Sequence, residues 1–208
     1  VDIRSALLSS IDEISISPAI LPFQSALAIQ CFTNEYIYNQ TDEEIEALEG
    51  LKCAVEKTLA NGKQPSSQAV LCLASYKALH EYDWCDALTV NIDIEGVFVR
   101  QVLEPKEENY LKANIPILQE ITDKVSSKVR EQYEENPYPR WVNLGLFLRP
   151  KTTTQIVKKL NLRVFDNAAN NRRVPNILIA GCGTGQHSIE TASRIKDCNV
   201  LAVDLSLS

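Results

Sequence analysis

The sequence contains no methionine in its 208 residues, where average usage would give about four or five. Its first residue is Val1, so it does not begin as an open reading frame begins. These two absences predict that the sequence is part of a longer chain. The remaining composition, 45% hydrophobic and 23% charged, is typical of globular proteins and excludes a disordered or a fibrous class.

The spacing patterns that bind metals are also missing. The six cysteines form no C-x-x-C pair, and the two histidines, His80 and His187, do not lie at zinc-finger spacing from them. We therefore predict no metal site. Most of the cysteines lie inside apolar runs such as residues 70–73, which is typical of buried free thiols in a reducing compartment. The predicted location is the cytoplasm.

Two further absences concern membranes and nucleic acids. No apolar run reaches the ~20 residues of a membrane helix, because Pro18, Pro22 and Gln24 interrupt the longest one. A net charge of -6 argues against nucleic acid as the main partner. Residues 1–100 carry 6 Lys and Arg against 15 Asp and Glu, while residues 101–208 carry 15 against 12. This asymmetry predicts two regions of different character.

Apolar periodicity and capping residues predict four helices in the first two thirds of the chain. They run from Leu21 to Tyr38, from Thr41 to Asn61, from Ser66 or Ser67 toward Tyr82, and from Thr122 or Asp123 to Asn136. The second is the best marked, since Thr41 followed by Glu44 forms a capping box. Between them, residues 89–99 alternate apolar and polar side chains and predict a strand, although Gly96 interrupts the pattern.

The stretch that carries chemistry lies between residues 175 and 204. An apolar run leads into glycines at 181, 183 and 185, and a helical segment and a second apolar run ending at Asp204 follow. This order predicts a strand, a turn, a helix and a second, parallel strand, both strands being buried on both faces. The glycines permit close approach of a ligand, and the helix start offers free N–H groups. Asp204 is placed to accept hydrogen bonds from ribose hydroxyls.

The spacing of these glycines distinguishes two ligand classes. The dinucleotide fingerprint G-x-G-x-x-G needs glycine at position 186, where Gln186 stands, so the pattern favours a ligand without a pyrophosphate. Residues 179–185 resemble motif I of the class I S-adenosylmethionine-dependent methyltransferases, and Asp204 matches the acidic residue of motif II. The resemblance implies that S-adenosyl-L-methionine is the cofactor. The cofactor-binding residues that it implies are Ala180, Gly181, Cys182, Gly183, Thr184, Gly185, Gln186 and Asp204.

A second resemblance covers more of the chain. Residues 30–36, 104–108 and 132–141 are similar to the region between tetratricopeptide repeats and the methyltransferase domain in a group of bacterial proteins. This similarity implies that residues 89–102 are mainly helical, against the strand that their alternation predicts, and both alternatives stay open. It also implies that the segment rich in tyrosine and proline lies over the cofactor pocket. The further candidates that it adds are Tyr133, Tyr138 and Arg140.

The predicted fold class is a mainly α N-terminal region followed by the first β-α-β unit of an α/β Rossmann-like methyltransferase domain, which would be incomplete. We predict a helical domain over residues 1–128, a connecting segment over 129–174, and the start of the cofactor domain over 175–208. An open sheet of this class needs on the order of 100 further residues. We therefore expect that these 208 residues alone do not catalyse a reaction.

The predicted function is transfer of a methyl group to an acceptor that the sequence does not identify. The cofactor supplies the reactivity in such a step, and no residue stands out as a general base. His187 either lines the pocket or faces solvent. Two other functions stay open: an NAD-dependent oxidoreductase, against which Gln186 argues, and a helical module that binds a protein partner and carries a non-catalytic Rossmann-like remnant.

Overall fold

The computed structural model describes residues 3–11, 19–135, 141, 143–163 and 174–207. These residues are mostly helical, with two short parallel strands. The chain divides into two compact units, Val1–Asn114 and Ile115–Ser208. This division differs from the predicted boundary at residue 128, which would fall inside the helix Lys124–Glu135. None of the helices in the described ranges has both the length and the apolar character needed to span a membrane.

The first unit is built from helices and short helical turns. They are α1 (Ile3–Ser9), α2 (Ile20–Thr33), α3 (Asp42–Ala60), α4 (Ser67–Ala74), 3-10 turns at Leu79–Glu81 and Cys85–Ala87, α5 (Glu95–Phe98), a π-helical turn at Val99–Leu103, and α6 (Glu104–Asn114). The capping box at the start of α3 is confirmed. The Thr41 hydroxyl accepts from the Glu44 N–H at 3.2 Å, and the Glu44 carboxylate accepts from the Thr41 N–H at 2.9 Å. These bonds satisfy N–H groups that a helix start leaves unpaired.

Two predicted helices end earlier than their apolar patterns indicate. After α2, Glu35 and Tyr36 have φ angles of 54° and 50°, which a right-handed helix does not contain. After α4, the backbone is extended at Ala78 before the 3-10 turn at Leu79–Glu81. The apolar pattern continues past the end of α4 because Leu73 before the break and Leu79 after it belong to one core. Past the end of α2 the pattern continues in exposed residues, since Ile37 and Tyr38 are 73% and 40% exposed.

The strand predicted over residues 89–99 is wrong. The Asn91 side chain accepts from the backbone N–H groups of Asp93 at 3.0 Å and of Ile94 at 3.3 Å. Its carbonyl accepts from the Glu95 N–H at 2.9 Å. These bonds turn the chain locally and start a helical segment, in competition with strand pairing. The helical alternative is confirmed from Glu95 onward, through α5 and the π-helical turn.

A fully buried amide holds the π-helical turn in place. The Gln101 Oε1 accepts from the Leu79 N–H at 3.0 Å, while its Nε2 donates to the carbonyls of Ala28 at 3.1 Å and Ala74 at 3.0 Å. The Gln101 carbonyl lies 2.7 Å from His80 Nδ1. One side chain thus connects α2, α4 and the 3-10 turn that follows α4.

The core of the first unit is formed by α2, α3, α4, α5 and the π-helical turn. Its most deeply buried residues are Ala28, Val70, Leu71, Leu73, Ala74, Leu79, Val97 and Val102. Cys31, Cys72 and Cys85 are buried free thiols, and burial raises the pKa of Cys72 to about 12. They therefore pack as small apolar side chains, which confirms the structural part of the prediction for these three cysteines.

The second unit contains the two strands. Its elements are α7 (Lys124–Glu135), α8 (Thr153–Leu160), β1 (Asn176–Ala180), α9 (Gln186–Arg194) and β2 (Asn199–Val203). The strands are parallel, with Asn176 opposite Asn199 and Ala180 opposite Val203. This confirms the predicted order of strand, helix and strand. The Asp123 carboxylate accepts from the Ser126 N–H at 2.8 Å at the predicted start of α7.

The prediction that both faces of the strands are buried is wrong for the described residues. Leu178 and Leu201 lie opposite each other and are 64% and 63% exposed. Ile179 is buried, and α9 contacts β2. Continuous apolar runs therefore mark the strands correctly, but in the described part of the chain one face of the strand pair is open to solvent.

Candidate functional site

The residues predicted to bind a cofactor lie at one edge of the strand pair. Gly181 directly follows β1 and Asp204 directly follows β2, and the carboxyl ends of parallel strands share an edge. The backbone N–H groups of Gly181 and Cys182 both donate to the Val203 carbonyl, at 2.8 and 3.2 Å. The structure thus brings residues 180–186 and Asp204 together.

Left-handed backbone conformations shape the loop that joins β1 to α9. Gly181, Gly183 and Gly185 have φ angles of 72°, 52° and 85°. Residues with a side chain adopt this region at a cost, so glycine is favoured at each position. A Cβ added at any of the three would meet no atom within 4 Å. The glycines are therefore required by backbone conformation and not by packing, and the space beside each is open.

Asp204 holds the loop by its middle glycine. Its Oδ2 accepts from the Gly183 N–H at 2.7 Å, and its Oδ1 accepts from the N–H groups of Leu205 at 2.7 Å and Ser206 at 3.2 Å. A carboxylate offers about four acceptor positions, of which three are used here. Because Asp204 is exposed, the remaining position on Oδ2 is accessible to a donor from a ligand.

Cys182 lies between two of the glycines and beside Asp204. Partial burial, and then the negative charge of Asp204, raise the pKa of the Cys182 thiol above its ordinary value. The thiol is therefore protonated at neutral pH, and a protonated thiol is neither a nucleophile nor a metal ligand. Cys182 is thus a half-buried, protonated thiol of the loop.

The helix after the loop begins without a side-chain cap. Gly185 is the N-cap residue of α9, and its N–H donates to the Cys182 carbonyl at 3.1 Å. The first-turn N–H groups of a helix have no partner inside the helix, so they can serve polar atoms of a ligand. Gln186 is half-buried at this turn, whereas His187 is exposed, as the solvent-facing alternative requires.

The structure adds one residue that the sequence analysis missed. The indole Nε1 of Trp141 donates to the Thr184 carbonyl in the glycine loop at 3.1 Å. Trp141 is half-buried and closes the segment rich in tyrosine and proline. A signal was present, because a buried indole N–H seeks an acceptor, but nothing in the sequence identifies that acceptor.

The three further candidates in this segment have different outcomes. Tyr133 lies on α7 and is 52% exposed, and no described hydrogen bond joins it to the loop. Tyr138 and Arg140 lie outside the described residues. Within the described ranges, no three His, Cys, Asp or Glu side chains are grouped so that they could hold a metal ion.

Comparison with known proteins gives no relative from which a function could be transferred. No protein family, no curated protein and no solved structure matches this chain.

Proposed function

We propose that residues 180–186 and Asp204 bind S-adenosylmethionine, and that the chain is the cofactor-binding part of a class I methyltransferase. In this proposal β1, α9 and β2 are the first β-α-β unit of a Rossmann-like domain. The observation that carries it is the 2.7 Å bond from the Gly183 N–H to Asp204 Oδ2. That bond joins the two elements of the predicted site, the loop after β1 and the carboxylate after β2.

The chemistry of these residues fits the cofactor. A ribose diol needs an acceptor, and the exposed Oδ2 of Asp204 keeps one acceptor position beside the bond to Gly183. The open space beside Gly181, Gly183 and Gly185 lets a ligand lie against the backbone. Gln186 stands where a dinucleotide site needs a third glycine for close helix packing, which argues against a pyrophosphate ligand.

The residues of the site bind and orient, and none of them needs to move a proton. When bound, the cofactor supplies a methyl group on a positively charged sulfonium. Asp204 would fix the ribose, and its negative charge favours a positively charged ligand. The glycine loop would fix the ligand's distance from the strand ends, which aligns the transferred group.

The proposal is tested by calorimetry on the full-length protein with S-adenosylhomocysteine and with NAD as separate ligands. We expect S-adenosylhomocysteine to bind and NAD not to bind. Asp204→Asn removes the charge that holds Gly183 and the ribose, so we expect about tenfold weaker binding or more.

Asp197→Asn is the matched control, because Asp197 precedes the start of β2 whereas Asp204 follows its end. Asp197 has a φ of 51°, which asparagine tolerates. We expect this variant to bind as the unchanged protein does. Binding of NAD in place of S-adenosylhomocysteine would support the oxidoreductase, and binding of neither would support the non-catalytic interaction module.

A further inference from the structure

The contact between Trp141 and the glycine loop spans 43 positions of the chain and falls on a backbone atom. The Thr184 carbonyl belongs to the peptide that links Thr184 to Gly185. The N–H of that same peptide donates to the Cys182 carbonyl at 3.1 Å. This one peptide unit is therefore held from both of its polar ends, by the Trp141 indole on one and by Cys182 on the other.

A peptide in this position needs such a restraint. Its orientation is set by ψ of Thr184 and φ of Gly185, and glycine crosses between left-handed and right-handed conformations at little cost. Gly185 is left-handed here, with a φ of 85°. Turning the peptide over would move the first N–H groups of α9, since Gly185 is the N-cap of that helix.

We propose that Trp141 is a positioning residue that fixes the Thr184–Gly185 peptide through its indole N–H and so preorganises the loop for its ligand. Asp204 holds Gly183 on the other side of Thr184, at 2.7 Å. The two side chains thus restrain the Cys182–Gly183 and Thr184–Gly185 peptides of the loop, which one peptide separates, from different parts of the chain. The effect on the loop stands by itself, while the effect on cofactor affinity rests on the proposed function.

The first experiment needs no cofactor. It compares amide hydrogen exchange by NMR in the full-length protein and in Trp141→Phe, which keeps a ring and removes the N–H. Losing one hydrogen bond of ordinary strength predicts about three- to tenfold faster exchange at Gly185. Exchange at Gly181, whose N–H donates to Val203, is expected to stay unchanged and shows that the strand pair is intact.

Trp84→Phe is the matched control. Trp84 stacks on Tyr82 at 4.7 Å in the first unit, and its indole N–H has no partner among the described residues, so the substitution removes no known hydrogen bond. Trp141→His is the rescue variant, because it retains a ring N–H, and we expect it to slow exchange at Gly185 again. Exchange at Gly185 that is the same in Trp141→Phe and in the unchanged protein would overturn the proposal.

The second experiment titrates the same variants with S-adenosylhomocysteine by calorimetry. We expect Trp141→Phe to bind about three- to tenfold more weakly and Trp84→Phe to bind as the unchanged protein does. Equal affinity of Trp141→Phe and the unchanged protein would overturn the positioning role. If the unchanged protein does not bind the ligand but exchange at Gly185 still depends on Trp141, the proposed function fails and the restraint on the loop stands.

Discussion

Tyr76 shows how one buried hydroxyl couples the first unit to pH. Its side chain is buried, its hydroxyl donates to Glu44 Oε1 at 2.7 Å, and the Arg4 guanidinium lies 4.6 Å above its ring. Burial, and next the bond to the Glu44 carboxylate, raise the pKa of Tyr76 far above its ordinary value of 10.0. The folded protein therefore keeps this hydroxyl protonated at pH values at which a tyrosine of the unfolded chain ionises.

This shift predicts a loss of stability in alkali. In the unfolded chain a tyrosine ionises near pH 10, whereas Tyr76 in the folded chain stays neutral. The contribution of Tyr76 to the free energy of unfolding is fully present below pH 10. It is lost as the pH rises toward the raised pKa of Tyr76 in the folded state, because over that range only the unfolded state releases the proton. Urea unfolding between pH 7 and 11 measures this dependence.

Tyr76→Phe is expected to lower the free energy of unfolding at pH 7 by about 1–2 kcal/mol, since the Glu44 carboxylate loses a donor. Above pH 10 its stability is expected to fall less steeply. It will not become flat, because burial also raises the pKa of Tyr82. Parallel curves for the two proteins above pH 10 would contradict the assignment to Tyr76.

The residues of the candidate site differ in how far the sequence could identify them. The spacing of the three glycines and Asp204 depends on local backbone needs, so it could be read directly and the structure brings these residues together. Trp141 could not be placed in the same way. Its partner is a backbone carbonyl 43 positions away, and a carbonyl carries no residue type that a sequence pattern could reveal.

At the scale of elements, the π-helical turn depends on the buried side-chain amide of Gln101, and a second buried amide, that of Gln24, provides a comparison. Gln101 and Gln24 are both almost fully buried. Gln101 makes three hydrogen bonds to backbone groups, whereas neither amide atom of Gln24 has a partner in the described ranges. Burying an unpaired amide is costly, while removing a paired one leaves its partners unpaired.

The two glutamines are therefore expected to respond oppositely to replacement by methionine, which has a similar volume. Gln101→Met is expected to lower the free energy of unfolding by about 2–4 kcal/mol, because it leaves the Leu79 N–H and two carbonyls with fewer partners. Gln24→Met is expected to be neutral or stabilising. Denaturant unfolding of both variants measures the difference, and equal losses would refute it.

Helix starts were the part of the fold that local sequence determines best. Thr41 caps α3, Ser66 caps α4 and Asp123 precedes α7, each at the predicted place. The strand predicted over residues 89–99 was wrong because the Asn91 side chain accepts hydrogen bonds from the N–H groups of Asp93 and Ile94, which outweigh an alternating pattern. The prediction that both faces of the strands are buried was wrong for a different reason. The burial of a strand depends on what else packs against it and not on the strand itself.

For the whole molecule, the core is concentrated in one of the two units. In the described ranges, the core clusters contain buried residues from Leu8 to Val102, all within the unit Val1–Asn114. In the other unit, the buried side chains in those ranges are those of Ile179 and Ser188. Hydrophobic burial is the main source of folding free energy, so the two units differ in their capacity to fold alone.

A fragment of residues 1–114 is therefore expected to fold by itself. Circular dichroism is expected to show helical content and one cooperative thermal transition for this fragment. A fragment of residues 115–208 is expected to melt without a sharp transition, because few of its described side chains are buried. A gradual, non-cooperative melt of the first fragment would contradict this prediction.

The π-helical turn also limits how the chain can change in length. α5, this turn and α6 follow one another without a break, and each residue of an α-helix advances the chain by about 100°. A π-helical turn holds one residue more than an α-helical turn, so deleting one residue from Val99–Leu103 would leave α6 facing nearly as it does now. Deleting one residue from α5 would instead rotate α6 by that angle. Lys106 would then turn away from Asp86, which it now contacts at 2.6 Å. Diverging descendants of this chain are therefore expected to lose a single residue from the π-helical turn more readily than from α5 or α6.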